Sequence, residues 1–167
     1  MLYPMKFEPI FKEYIWGGRN LEKLGKKLMG RIAAESWELS CHRDGMSIVQ
    51  NGAFQGKTLQ SLVDAFGYKI TGNAQKGPFP LLVKLIDANE RLSVQVHPND
   101  AYALVHEGET GKNEMWYILD AKPGAHLIYD AKPGVRRESF EKAALEDRVE
   151  DCLETVPVQA GDFLIIP

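Results

Sequence analysis

Eight short apolar or alternating runs, each closed by turn residues, follow one another along this chain, and that succession limits the possible folds more than any other feature. They span residues 36–41, 46–49, 81–87, 91–97, 114–120, 126–129, 156–158 and 163–166. Runs of this length bounded by Gly, Pro, Asn and Asp read as β-strands. The 15 glycines and 9 prolines keep the strands short. Two helices are expected. In the first, Leu59, Leu62, Val63 and Phe66 fall at i, i+3, i+4 and i+7 behind a Thr58 cap, and Gly67 marks its end. In the second, Ser139 caps a segment holding Phe140, Ala143, Ala144 and Leu145, continuing through Val149, Cys152 and Leu153. Neither helix alternates with strands in a βαβ rhythm. Strand following strand predicts an antiparallel sandwich or barrel with helices packed outside it. No repeat, low-complexity tract or linker interrupts the chain, so a single unit over residues 1–167 is expected.

Composition removes several classes of function. Twenty Lys and Arg against 23 Asp and Glu give a net charge of −3, so no basic field is available for a nucleic-acid backbone or an anionic membrane. Apolar stretches such as 80–83 and 163–166 fall far short of the roughly 20 residues of a membrane-spanning helix. Residues 1–15 show no basic flank, apolar core and cleavage site in succession, which makes the cytosol the expected compartment. Cys41 and Cys152 form no C-x-x-C pair and are expected to be buried free thiols.

The stretch Arg91-Leu-Ser-Val-Gln-Val-His-Pro98 alternates strictly. In a strand, Leu92, Val94 and Val96 would share one face while Ser93, Gln95 and His97 share the other. Antiparallel pairing across the polar 98–111 loop would bring Glu114 beside that polar face. Gln95, His97 and Glu114 would then offer an O, N, O donor set. Such a set suits Zn²⁺ or a similar divalent ion, and three protein ligands with one open position is the catalytic arrangement. Glutamine is an unusual ligand, but its neutral carbonyl leaves more positive charge on the metal than a second carboxylate would. On spacing alone two readings stay open, because a polar strand face is ordinarily solvated and a His near a Glu is more often a hydrogen-bonded structural pair.

Residues 156–158, the Gly161-Asp162 turn and residues 163–166 read as a strand pair that halts at Pro167 in mid-pattern. Phe163–Ile166 is expected to lie against the Gln95 and His97 sheet, with Leu164 and Ile166, or by the other parity Phe163 and Ile165, buried. An apolar groove beside it, and self-association through that edge, are further expectations.

Six runs together, Tyr14-Ile-Trp-Gly-Gly18, Ala34-Glu-Ser-Trp-Glu-Leu-Ser40, Lys84-Leu-Ile-Asp-Ala88, Leu92-Ser-Val-Gln-Val-His-Pro98, Lys112-Asn-Glu-Met-Trp-Tyr117 and Gly161-Asp-Phe-Leu-Ile-Ile-Pro167, resemble type I mannose-6-phosphate isomerases in their short bacterial form. The Gln-x-His-Pro block followed by a Glu two residues after a Lys is the most specific part of the likeness. The resemblance implies a mainly β cupin, a double-stranded β-helix or jelly-roll barrel, with a few peripheral helices and incomplete at its C-terminus. It implies one cupin-type catalytic domain over 1–167, lacking the family's smaller C-terminal β domain. It also implies a zinc-dependent aldose-ketose isomerase interconverting mannose 6-phosphate and fructose 6-phosphate. Gln95, His97 and Glu114 take the places of the family's metal ligands, with a fourth, a His, expected beyond Pro167. Ser93 and Lys112 take the places of active-site residues that touch the sugar phosphate. Asn113 stands where eukaryotic members carry Pro. The activity of residues 1–167 alone stays open, and the alternative from another class is a non-enzymatic cupin-like sugar-binding or regulatory module.

Other candidates carry blander readings. His42, His106 and His126 lack a matched acidic partner and are expected to be structural or exposed. Trp16 beside Gly17 and Gly18 would serve either a sugar pocket or, more commonly, a close backbone contact. Trp37 and Trp116 are assigned to the core.

Overall fold

A computed structural model describes residues 1–72 and 79–166, which form two compact units, Met1–Leu92 and Ser93–Pro167. In the first, β2 (Glu35–Leu39) is the centre of a three-stranded antiparallel sheet, flanked by β1 (Ile10–Lys12) and by Val83–Ile86. β1 went unpredicted because it has three residues and draws its order from pairing Ile10 with Trp37 and Lys12 with Glu35. The expected strand over 36–41 breaks after Leu39, and the chain turns into a two-residue hairpin, β3 (Cys41–His42) and β4 (Gly45–Met46). Beyond Met46 the expected strand survives only as isolated bridges, Ile48 to Thr58 and Phe7 to Val49.

Helix α1 runs over Leu59–Phe66 as expected, because its signals are local. The Thr58 side chain accepts from the Ser61 N–H at 3.1 Å, and the Gly67 N–H closes the last turn on the Val63 carbonyl at 2.7 Å. Leu59, Leu62 and Val63 bury one face. A short α2 (Tyr68–Thr71) follows, and Val83–Ile86 is β5. The core of this unit gathers Leu21, Ala33, Ala34, Trp37 and Val49 with the α1 residues. Cys41 is only half-buried, while Cys152 in the other unit is buried, and both are free thiols.

Residues 91–99, which end the first unit and begin the second at Ser93, belong to no strand, contrary to expectation. Alternation supplies a face, but a strand also needs a hydrogen-bonded neighbour, and among the described residues no sheet takes this segment in; β6 (Glu114–Tyr117) pairs with Phe163–Ile166 alone. Residues 100–106, expected as loop, form α3 (Asp100–His106), capped by Asn99, whose side chain accepts from the Tyr102 N–H at 3.0 Å. β7 (His126–Ala131) pairs antiparallel with Leu153–Pro157.

Between them lies α4 (Arg137–Leu145). Ser139 is its third residue rather than its cap: the hydroxyl accepts from the Arg136 N–H at 3.0 Å and donates to the Arg136 carbonyl at 2.7 Å. The expected continuation to Leu153 does not occur. Asp147 takes φ 56°, a left-handed conformation that ends helices; a 3-10 turn over Val149–Cys152 and strand β8 (Leu153–Pro157) follow. Phe163–Ile166 is β9, with the boundaries expected.

On the β6–β9 pair, Glu114, Trp116, Leu164 and Ile166 turn to the more buried face, while Met115, Tyr117, Phe163 and Ile165 are each more than half exposed. The Tyr129 hydroxyl ties β7 to β9 by donating to the Ile165 carbonyl at 2.5 Å. Pro167 lies outside the described residues. Among the described residues no helix is long and apolar enough to cross a membrane.

Candidate active site

The second unit holds all five residues singled out for chemistry. Pro98 and Asn99 stop the extended segment and start α3. The chain then returns through residues 107–113 and presses back onto the helix start. The Gly111 N–H donates to Asp100 Oδ1 at 2.8 Å, and the Lys112 N–H to the Pro98 carbonyl at 3.3 Å. Glycine is required at this crossing, since a Cβ on residue 111 would stand 2.6 Å from the Asp100 nitrogen and 2.7 Å from the Pro98 oxygen. Strand β6 therefore begins beside the end of the 91–97 segment, and the period-2 alternation of β6 turns Glu114 inward with Trp116.

That route places the Glu114 carboxylate between two nitrogen groups. Its Oε2 lies 3.3 Å from His97 Nε2 and its Oε1 lies 3.0 Å from Lys112 Nζ. The His97 side chain is 8% exposed and that of Glu114 16%, whereas Lys112 is 43% exposed. A cleft of ≈ 320 Å³ opens here, walled by His97, Pro98, Asn99, Asp100, Gly111, Lys112 and Asn113. Ser93 and Gln95 form a second, exposed group, in which Gln95 Nε2 donates to Ser93 Oγ at 3.4 Å. An i, i+2 bond of this kind puts the two side chains on one face of extended chain, as the alternation predicts.

Zinc bonds of about 2.0–2.1 Å at a tetrahedral angle hold neighbouring donors about 3.3–3.4 Å apart. The His97 to Glu114 separation of 3.3 Å matches that spacing, and an imidazole nitrogen with a carboxylate oxygen is a donor pair that suits zinc. No cluster of three His, Cys, Asp or Glu that could hold a metal occurs among the described residues. Gln95, an amide outside those four residue types, carries a carbonyl oxygen that can act as a metal donor.

The remaining histidines have local roles. The His42 Nδ1 accepts from the Asp44 N–H at 3.1 Å, and His106 stacks on Tyr102 at 4.1 Å. Gly17 serves a close backbone contact, since a Cβ there would stand 2.6 Å from the Ala34 Cα. The Trp16 carbonyl accepts from the N–H groups of Asn89 and Glu90 at 3.0 and 3.1 Å. Trp37 is core, its indole N–H donating to Glu35 at 2.7 Å; Trp116 is half-buried. A larger open groove of ≈ 450 Å³ in the first unit, lined by Glu8, Ile48, Val49, Gln50, Gln55 and Gly56, gathers a single ionisable side chain. Sequence reasoning missed Asn99, Asp100 and Gly111 as the residues that build the site. The Pro98-Asn99-Asp100 succession, a helix-start signal, was the available clue.

Residues 5–121 match the family described as phosphomannose isomerase type I, catalytic domain. Over 168 residues the chain is 40% identical to a mannose-6-phosphate isomerase of Streptococcus mutans, and over 165 residues 40% identical to the mannose-6-phosphate isomerase ManA of Bacillus subtilis. These alignments cover 100% and 98% of this chain and 52% of each relative. The chain thus spans about half the length of the curated relatives it matches. The crystal structure of the Bacillus subtilis mannose 6-phosphate isomerase is similar at a TM-score of 0.89 and 37% identity, covering 98% of this chain and 52% of that one. The expected mainly β, cupin-like fold with few helices is borne out, although its sheets are not closed. By this match the chain belongs to the type I phosphomannose isomerase catalytic-domain family.

Proposed function

We propose that this chain acts on a sugar phosphate, interconverting mannose 6-phosphate and fructose 6-phosphate, with zinc held by Gln95, His97 and Glu114. The observation that carries the reading is the Glu114 carboxylate set between His97 and Lys112 in a chain 40% identical to curated mannose-6-phosphate isomerases. When bound, zinc supplies positive charge that polarises a sugar oxygen and offsets the negative charge that develops there.

The protein's own groups prepare that environment. The buried His97 ring presents Nε2 to the Glu114 carboxylate, so one imidazole nitrogen and one carboxylate oxygen stand ready as a donor pair. Gln95 contributes a neutral carbonyl and so leaves the site's positive charge less neutralised than a second carboxylate would. Ser93 Oγ accepts from Gln95 and restrains its amide, while keeping a hydroxyl proton to donate to a sugar oxygen. Lys112 lines the cleft and offers an ammonium to the same oxygens.

The test measures zinc retained by the purified chain and by His97→Ala after dialysis against a weak chelator, then titrates mannose 6-phosphate onto the zinc-loaded chain by calorimetry. Zinc and sugar-phosphate binding by the parent, both lost in the variant, support the reading. Equal zinc retention by parent and variant, or a loaded chain that takes up no mannose 6-phosphate, overturns it.

A further inference from the structure

We propose that Lys112 is a positioning residue that keeps Glu114 a one-oxygen metal ligand and so sets which divalent ions the site accepts, an inference that rests on the zinc reading above. The two carboxylate oxygens of Glu114 have different neighbours. Oε1 lies 3.0 Å from Lys112 Nζ, whereas Oε2 faces His97 Nε2 at 3.3 Å. An ammonium on one oxygen is a charge-assisted contact that leaves the other to bind a metal shared with His97.

The backbone holds Lys112 at its post. Its N–H is bonded to the Pro98 carbonyl, and Gly111 beside it fits against Asp100 with no room for a Cβ. The ammonium is therefore delivered to Oε1 by the same crossing that delivers Glu114 to His97.

The consequence is a choice of ion. Zinc is satisfied by four ligands and takes one oxygen from a carboxylate, while larger oxygen-preferring ions take six or more ligands and readily use both oxygens. With Oε1 occupied, the second oxygen is withheld. Lys112 also repels any dication nearby, but that repulsion acts alike on all of them and cancels in a ratio of affinities. The ratio of zinc to manganese affinity therefore reports the positioning role alone.

The experiment determines dissociation constants for Zn²⁺ and Mn²⁺ by competition with a chromophoric chelator, and follows Mn²⁺ by electron paramagnetic resonance. It compares the parent chain with Lys112→Met, Lys112→Ala and Lys112→Arg. The zinc-to-manganese ratio is expected to fall on the order of tenfold in the two uncharged variants. It should return to within about twofold of the parent in Lys112→Arg, whose guanidinium can occupy the same oxygen. A purely structural role would shift both affinities in proportion. A parent that binds zinc through His97, with the ratio unchanged in Lys112→Met and Lys112→Ala, overturns the inference and leaves the zinc reading standing. A parent whose zinc binding is indifferent to His97→Ala overturns both.

Discussion

Replacing Gly111 by alanine tests whether the loop crossing assembles the site. The added Cβ would sit 2.6–2.7 Å from three backbone atoms, Asp100 N, Asn99 C and Pro98 O, at contacts where no flexible side chain can yield. Either the 107–113 loop or the start of α3 must move. Overpacking of this kind costs about 1–3 kcal/mol. Movement would also stretch the Gly111 N–H bond to the Asp100 carboxylate, 2.8 Å in the intact chain, and a hydrogen bond to a charged group contributes about 1.5–3 kcal/mol. The two terms overlap, because relaxing the clash is what lengthens the bond, so a total near 3 kcal/mol is expected.

For a chain of this size that lowers Tm by about 6–12 °C. Because Lys112 and Glu114 follow directly, zinc affinity should fall together with stability, on the order of tenfold or more. Thermal unfolding by circular dichroism and zinc competition on the same samples read both quantities. A Gly111→Ala protein with unchanged Tm and unchanged zinc binding would show that the crossing does not position the site.

Three further outcomes are expected. Thr58→Ala removes the oxygen that accepts the Ser61 N–H and should cost about 1 kcal/mol in chemical denaturation, with Thr58→Ser close to the parent. Lys84→Met leaves the buried Glu35 carboxylate without the ammonium now 3.0 Å away, a loss of about 3–5 kcal/mol; a Glu35→Gln, Lys84→Met double variant that fared no better than the single would refute the ion-pair account. Burial first, and the Asp64 charge second, push the Cys41 thiol from 9.0 up to about 11. Iodoacetamide should therefore modify Cys41 roughly 10- to 100-fold more slowly at pH 8 than an unfolded-peptide thiol. Since the folded chain keeps a proton that the unfolded chain has lost, the contribution of Cys41 to stability is whole below pH 9 and declines as pH rises from about 9 towards 11.

Features encoded within a few residues were legible without the fold. Helix α1 carries its own apolar period, its Thr58 cap and its terminal Gly67, so its limits follow from sequence alone. The i, i+2 relation of Ser93 and Gln95 follows from extended geometry. The residue types of the site were equally legible, because imidazole, carboxylate and amide donors point to divalent-metal chemistry wherever they converge.

What needed the tertiary structure was every feature that depends on a distant partner. Alternation in residues 91–97 did not make a strand, because a ladder requires a neighbour and no sheet among the described residues supplies one, while β6 found its partner in β9, some 50 residues further along. The apolar period of the second helix could not reveal that Asp147 would turn left-handed and stop it. His97 and Glu114 meet, as their spacing allowed, but by a different route from the hairpin that spacing suggested: a seven-residue helix and a glycine crossing bring them to 3.3 Å. Local pattern determines which side chains can share a face, and chain closure over longer distances decides which faces meet.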